Sequence, residues 1–118
     1  MNPWSGIGLG QIVAERTLLL DGAETVHVLI GQPLLAHTPH RESACPWQIQ
    51  GLGSDQVRYA AGVDQVQSLW LALQMIGVTL YASDEYGAGR LKQFPESAGH
   101  DDLGFPVPDG FEDLLPGS

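Results

Sequence analysis

Residues 62–81 read GVDQVQSLWLALQMIGVTLY. Val66, Leu69, Leu73, Ile76 and Leu80 recur three and four apart, which predicts a helix with one apolar stripe. Trp70 and Leu71 widen that stripe, while Gln65, Gln67, Ser68 and Gln74 fall largely outside it. Asp64 suits the N-cap, because its carboxylate can accept from a free backbone N–H. Gln67, three residues on, completes a capping box. Gly77 costs up to about 1 kcal/mol relative to Ala, so it predicts either a close approach or the end of the helix. The stretch is long enough to be weighed as a membrane span. Asp64, Gln65, Gln67, Ser68 and Gln74 gather on one side and argue against that.

A striped helix must bury its stripe, and the residues before it supply the surface. Residues 11–20, QIVAERTLLL, and 24–30, ETVHVLI, flank Asp21-Gly22, a hairpin signal. Two cues disagree about its register. A two-residue loop puts Leu18 opposite Thr25, whereas matching Leu18 and Leu20 to Val26, Val28 and Ile30 needs an odd loop length. Residues 31–46, with three prolines, read as a long loop. Residues 47–52, WQIQGL, alternate with period two, and Val57, Tyr59 and Ala61 share a face beyond the turn at 53–55. Pairing Trp47 with Tyr59 and Ile49 with Val57 gives a second hairpin. The expected fold is therefore α+β: an antiparallel sheet of about four strands, in two hairpins, on one main helix over about 64–81. A single domain of 118 residues results, with a flexible arm at 1–10, a ββββα core at 11–82 and an irregular acidic tail at 83–118.

Charge narrows the partners. Fourteen acidic residues face only five Lys and Arg, a formal net charge of −9. So few cations disfavour nucleic acid and anionic membrane as partners. A partner steered by charge is cationic, although net charge also serves solubility. The single cysteine, Cys45, allows no intrachain disulfide and fits a reducing, cytoplasmic compartment. The first residues, MNPWSGIGLGQ, lack the basic and apolar regions of a secretory signal. Residues 83–118 hold eight of the acidic residues and two basic ones. Phe105, Val107, Phe111, Leu114 and Leu115 are interspersed with them. This segment can dock along the sheet or remain mobile.

Four groups of residues invite a chemical reading. His37, His40 and Cys45 form H-x2-H-x4-C, with good zinc ligands but a fourth needed from His27 or His100. The plainer account is a polar loop with surface histidines and a partly buried cysteine, and no metal or other cofactor is expected. Cys45 beside a histidine also suggests a thiol nucleophile, but nothing supplies an oriented base or oxyanion site. Gly6, Gly8 and Gly10 lack the strand before and helix after that a phosphate loop needs. Asp84, Glu85, Asp101, Asp102, Asp109, Glu112 and Asp113 make a solvated acidic surface or a face for a cationic protein. They lack the D-x-D-x-D-G spacing of a calcium loop. Trp47 and Trp70 are expected in the core. Trp4, in the arm, either packs back or touches a partner.

Residues 60–81 resemble a segment of a family of small uncharacterised bacterial proteins, where an A-x-GVD-x-x-Q-AL-x-LAL-x-x-IG-x-x-L run follows a tryptophan- or cysteine-bearing strand. Ala61-Gly62-Val63-Asp64, Gln67, Leu71-Ala72-Leu73 and Ile76-Gly77 match, and Ser68-Leu69 replaces the more usual Ala-Leu. Asp102-Leu103-Gly104-Phe105-Pro106 is similar to the LGFP-like close of such proteins. The resemblance implies no activity, and its matching positions are those of a helix cap and a packing stripe.

The resulting expectation is a non-enzymatic protein-binding domain. Its sharpest form is an acidic immunity protein covering a basic bacterial toxin through Asp84, Glu85, Asp101, Asp102, Glu112, Asp113 and Trp4. Alternatives are a ligand-binding or enzymatic domain with a pocket between helix and sheet, and a homodimer through the tail or an open sheet edge.

Overall fold

A computed structural model describes residues 4–36 and 42–116. Strand β1 (Ile12–Leu20) turns into β2 (Ala23–Gly31), followed by β3 (Leu34–Leu35), β4 (Ser43–Gln50) and β5 (Arg58–Gly62). Helix α1 (Gln65–Tyr81), a short helix α2 (Asp84–Gly87), strand β6 (Leu91–Lys92) and a 3-10 turn (Glu112–Leu114) follow. The α+β class holds, but among the described residues the antiparallel sheet has six strands rather than four. β2 and β3 share one edge of β4, β5 takes the other, and β6 pairs with the turn end of β1.

The first hairpin satisfies both of its conflicting cues. Asp21 (φ 53°) and Gly22 (φ 85°) form a two-residue turn with Leu20 opposite Ala23. A register shift then sets Leu18 against Val26, because Glu24 and Thr25 of β2 oppose Leu19 alone. Leu18, Val26, Val28 and Ile30 consequently all enter the core.

The second hairpin is displaced by one residue from expectation. Trp47 lies opposite Arg58 and Cys45 opposite Ala60, while Tyr59 faces Pro46. A one-residue slip exchanges the faces of a strand, so Ala60, not Tyr59, is turned to the core. α1 explains the choice. It runs so close to β5 that a Cβ on Gly62 would stand 2.7 Å from the Ser68 nitrogen, and only small side chains fit beneath it. The expected loop over 31–46 is also corrected, since its last residues, Ser43 to Pro46, are fully buried strand.

In α1 the cap forms as expected, with Asp64 Oδ1 accepting from the Gln67 N–H at 2.8 Å. Gln67 Oε1 accepts in return from Val63 N–H at 2.7 Å, one residue before the cap. The buried face differs from the predicted stripe. It runs Ser68, Ala72, Ile76, Gly77, Leu80 and Tyr81, and Val66 and Trp70 are exposed. Ile76 and Leu80 are fully buried and each stabilises by about 1.5–3 kcal/mol. Ser68, expected in water, is fully enclosed, its hydroxyl 2.8 Å from that of Ser43.

Of the two outcomes open to the acidic segment, residues 83–116 show docking: they form a largely irregular strap that closes the core. Leu103 and Phe105 are buried. Tyr81 Oη donates to Asp102 Oδ1 at 2.9 Å and accepts from Leu103 N–H at 2.8 Å. Arg16 stands on the core face of β1, where a bare guanidinium would be costly. Its Nη1 donates to the Leu103 carbonyl at 2.7 Å, and its Cζ lies 4.8 Å from the centre of the Phe105 ring. Next to it the Gly77 surface meets the Pro106 carbonyl so closely that no Cβ fits. The arm folds back too, and Trp4 is buried.

Candidate binding surface

The strap covers α1 only over its C-terminal half. Toward the N-terminus the same flank of the helix is open. Val66 is 78% exposed and Trp70, one turn later, is 51% exposed. Val63, in the lead-in, is 72% exposed. Side chains four apart on a helix are neighbours, so Val66 and Trp70 form one apolar surface. Gln65 Nε2 donates to the Pro33 carbonyl at 2.9 Å, which brings exposed Leu34 and Leu35 to this end of the molecule. A shallow depression of about 300 Å³ adjoins it, lined by Glu42, Ala61, Gly62, Val63 and Gln67. Among the described residues, the ionisable groups at this depression and the cap are Glu42 and Asp64, both acidic. Isolated exposed apolar side chains are ordinary, but a cluster containing tryptophan marks a contact surface.

The acidic residues expected to bind a partner are distributed otherwise. Asp84 and Glu85 form the first turn of α2, capped by Ser83. Tyr86, on that helix, donates to the Asp101 carbonyl at 3.0 Å, which sets α2 beside Asp101 and Asp102. Both of these carboxylates carry structural bonds: Asp101 Oδ2 accepts from Ala98 N–H and Asp102 Oδ1 from Tyr81 and Gly104. Glu112 and Asp113 lie in the 3-10 turn, and Glu112 accepts from Gly110 N–H at 2.8 Å. The structure thus brings four of the six acids together at the C-terminal end of α1, away from the open helix flank. Trp4, the remaining candidate, is buried at 8% exposure.

His37 and His40 lie outside the described residues. Cys45 is in β4, not in a loop, and its Sγ donates to the Gly31 carbonyl at 3.5 Å. Burial pushes its thiol up to about 11, so the thiolate needed for nucleophilic attack is scarce at neutral pH. Among the described residues no three His, Cys, Asp or Glu side chains converge as metal ligands do. No helix among them is long and apolar enough to cross a membrane.

Sequence reasoning missed the open surface because Val66 and Trp70 share the spacing of core residues. The available signal was Gly62, Ser68 and Ala72, a run of small side chains that marks the side of closest approach.

The chain belongs to a domain family of unknown function, DUF6968, whose family model matches residues 14–107. That range takes in the sheet from the third residue of β1 onward, both helices and the strap as far as Val107. No curated protein and no solved structure matches the chain.

Proposed function

We propose that this member of DUF6968 is a non-enzymatic protein-binding domain that docks a basic protein on the open flank of α1. The observation that carries the reading is Trp70, half exposed beside Val66 on a helix that buries Ser68, Ala72, Ile76 and Leu80 against the sheet. Tryptophan anchors are common at the centres of interfaces. The charge of −9 supplies long-range attraction, with Glu42 and Asp64 nearest and Asp84, Glu85, Asp101, Asp102, Glu112 and Asp113 beyond. The sharpest form of the proposal is an immunity protein of the bacterial cytoplasm that covers a basic toxin domain.

The test begins with stoichiometric co-purification of the full chain and identification of its partner. The association rate of the purified pair is then measured by stopped flow over a range of salt concentrations, and its affinity by calorimetry. A basic partner whose association slows as salt rises supports the reading. An acidic partner, or a basic one bound at a rate that salt and the Glu42→Lys/Asp64→Lys reversal leave unchanged, overturns it.

A further inference from the structure

A second site stands apart from the open flank. The core face of β4 and β5 emerges from beneath α1 in a groove of about 390 Å³, lined by Trp47, Arg58, Met75, Val78, Thr79 and Pro108. Volumes of this size fall at the small end of those that hold organic ligands. Two features separate it from a mere dent between elements. Trp47 is only 2% exposed, and its Nε1–H finds no acceptor among the described residues. Native proteins rarely leave a buried donor in that state, because it has lost water and gained nothing. Directly across the strand pair is Arg58. Its side chain is exposed and makes no ion pair or hydrogen bond among the described residues, whereas Arg16 and Arg90 are both engaged.

We infer that the groove binds a small organic carboxylate with an apolar body. Trp47 and Arg58 are cross-strand neighbours that both line the groove, each carries N–H groups to donate, and a carboxylate has two acceptor oxygens. Met75, Val78 and Pro108 present the apolar wall that such a body needs. The Met75 side chain, at 40% exposure, is unbranched and adaptable, which lets a ligand reach the floor of the groove. The overall negative charge does not forbid an anion. Charges farther away than a Debye length, about 8 Å at physiological salt, are largely screened, and the group nearest the ligand is a cation. The site is independent of the surface proposed for a protein partner, and either can fail alone.

The experiment uses the full chain labelled with nitrogen-15. Its three tryptophans give three indole N–H signals, and that of Trp47 is identified by its loss in Trp47→Phe. Octanoate and phenylacetate are titrated in turn, with octanol as the uncharged probe of similar body. The expected result is a saturable shift of the Trp47 indole signal, with Kd at or below about 1 mM for at least one carboxylate. Arg58→Gln, a change at an exposed side chain, should weaken that binding at least about tenfold while the backbone amide spectrum keeps its dispersion. Octanol should bind more weakly than octanoate by a similar factor. A Trp47 signal unmoved by both carboxylates overturns the proposal. So does an Arg58→Gln protein that binds octanoate as tightly as the parent, or octanol binding that matches octanoate.

Discussion

Ser68 sits at a close contact, where α1 presses on β4 and β5. Its hydroxyl meets Ser43 at 2.8 Å and also reaches the Gln65 carbonyl at 3.2 Å. Ser43 has only Ser68 as a side-chain partner among the described residues. Ser68→Ala should therefore be the costlier single change, about 1–3 kcal/mol, because it strands a buried hydroxyl. Ser43→Ala leaves Ser68 its backbone acceptor and should cost less. The double variant should fall short of the sum by about 0.5 kcal/mol or more, measured by urea unfolding. Asp21 gives a residue-scale test in acid. Its bidentate pair with Arg90, at 2.7 and 2.9 Å, holds its carboxyl below the usual range. A depressed carboxylate contributes stability above its unfolded value, near 3.9, and that contribution is lost as pH falls through the folded value. Asp21→Asn should make the fall of the urea midpoint in acid shallower, since the contribution lost as pH drops through the folded value is then absent, with little change in m. Single residues were legible where one side chain has one geometric option, as at the Asp64 cap and the Asp21-Gly22 turn. Ser68 was not, because a serine's polarity says surface until its buried partner, 25 residues away, is known.

At the scale of elements, the strap is held by a narrow set of contacts on α1 and β1. Gly77 and the Pro106 carbonyl set its distance from the helix. Gly77→Ala gains up to about 1 kcal/mol of helix propensity, but the new methyl group strikes a backbone oxygen. Overpacking of this kind costs about 1–3 kcal/mol, so a net loss is expected. Faster amide exchange at Leu103–Phe105 than in β2 should accompany it. An unchanged urea midpoint with unchanged exchange would contradict the strap geometry. Both hairpins and the helix were legible as elements from their periodicity and turn residues. Their faces were less so. The bulge at Glu24–Thr25 lets a two-residue turn coexist with in-phase apolar faces, and no period can reveal it. The second register turns on the room beneath α1, a tertiary fact that favours Ala60 over the larger Tyr59.

For the whole molecule, the partition of charge and apolar surface matters most. The strap closes one half of the α1 flank and leaves the other half to solvent. Its docking was one of two outcomes open to a stretch with Leu103 and Phe105 among acids. The decisive ingredient was Arg16, 87 residues away in the chain, which needs the strap to cover its charge. The same long-range closure fixes which apolar residues of α1 remain outside. The account therefore rests on Trp70 as the accessible anchor. Trp4 and Trp47 are buried and Trp70 is half exposed, so acrylamide should quench mainly one tryptophan, and Trp70→Phe should remove that component. The most direct measurement is the affinity of the purified partner for the parent and for Trp70→Ser, with the fold of the variant verified by its urea midpoint. The account predicts a loss of about 2 kcal/mol or more, roughly thirtyfold in Kd, and protection of Trp70 from acrylamide in the parent complex. A partner that binds Trp70→Ser as tightly as the parent, with Trp70 still quenched in the complex, would contradict it.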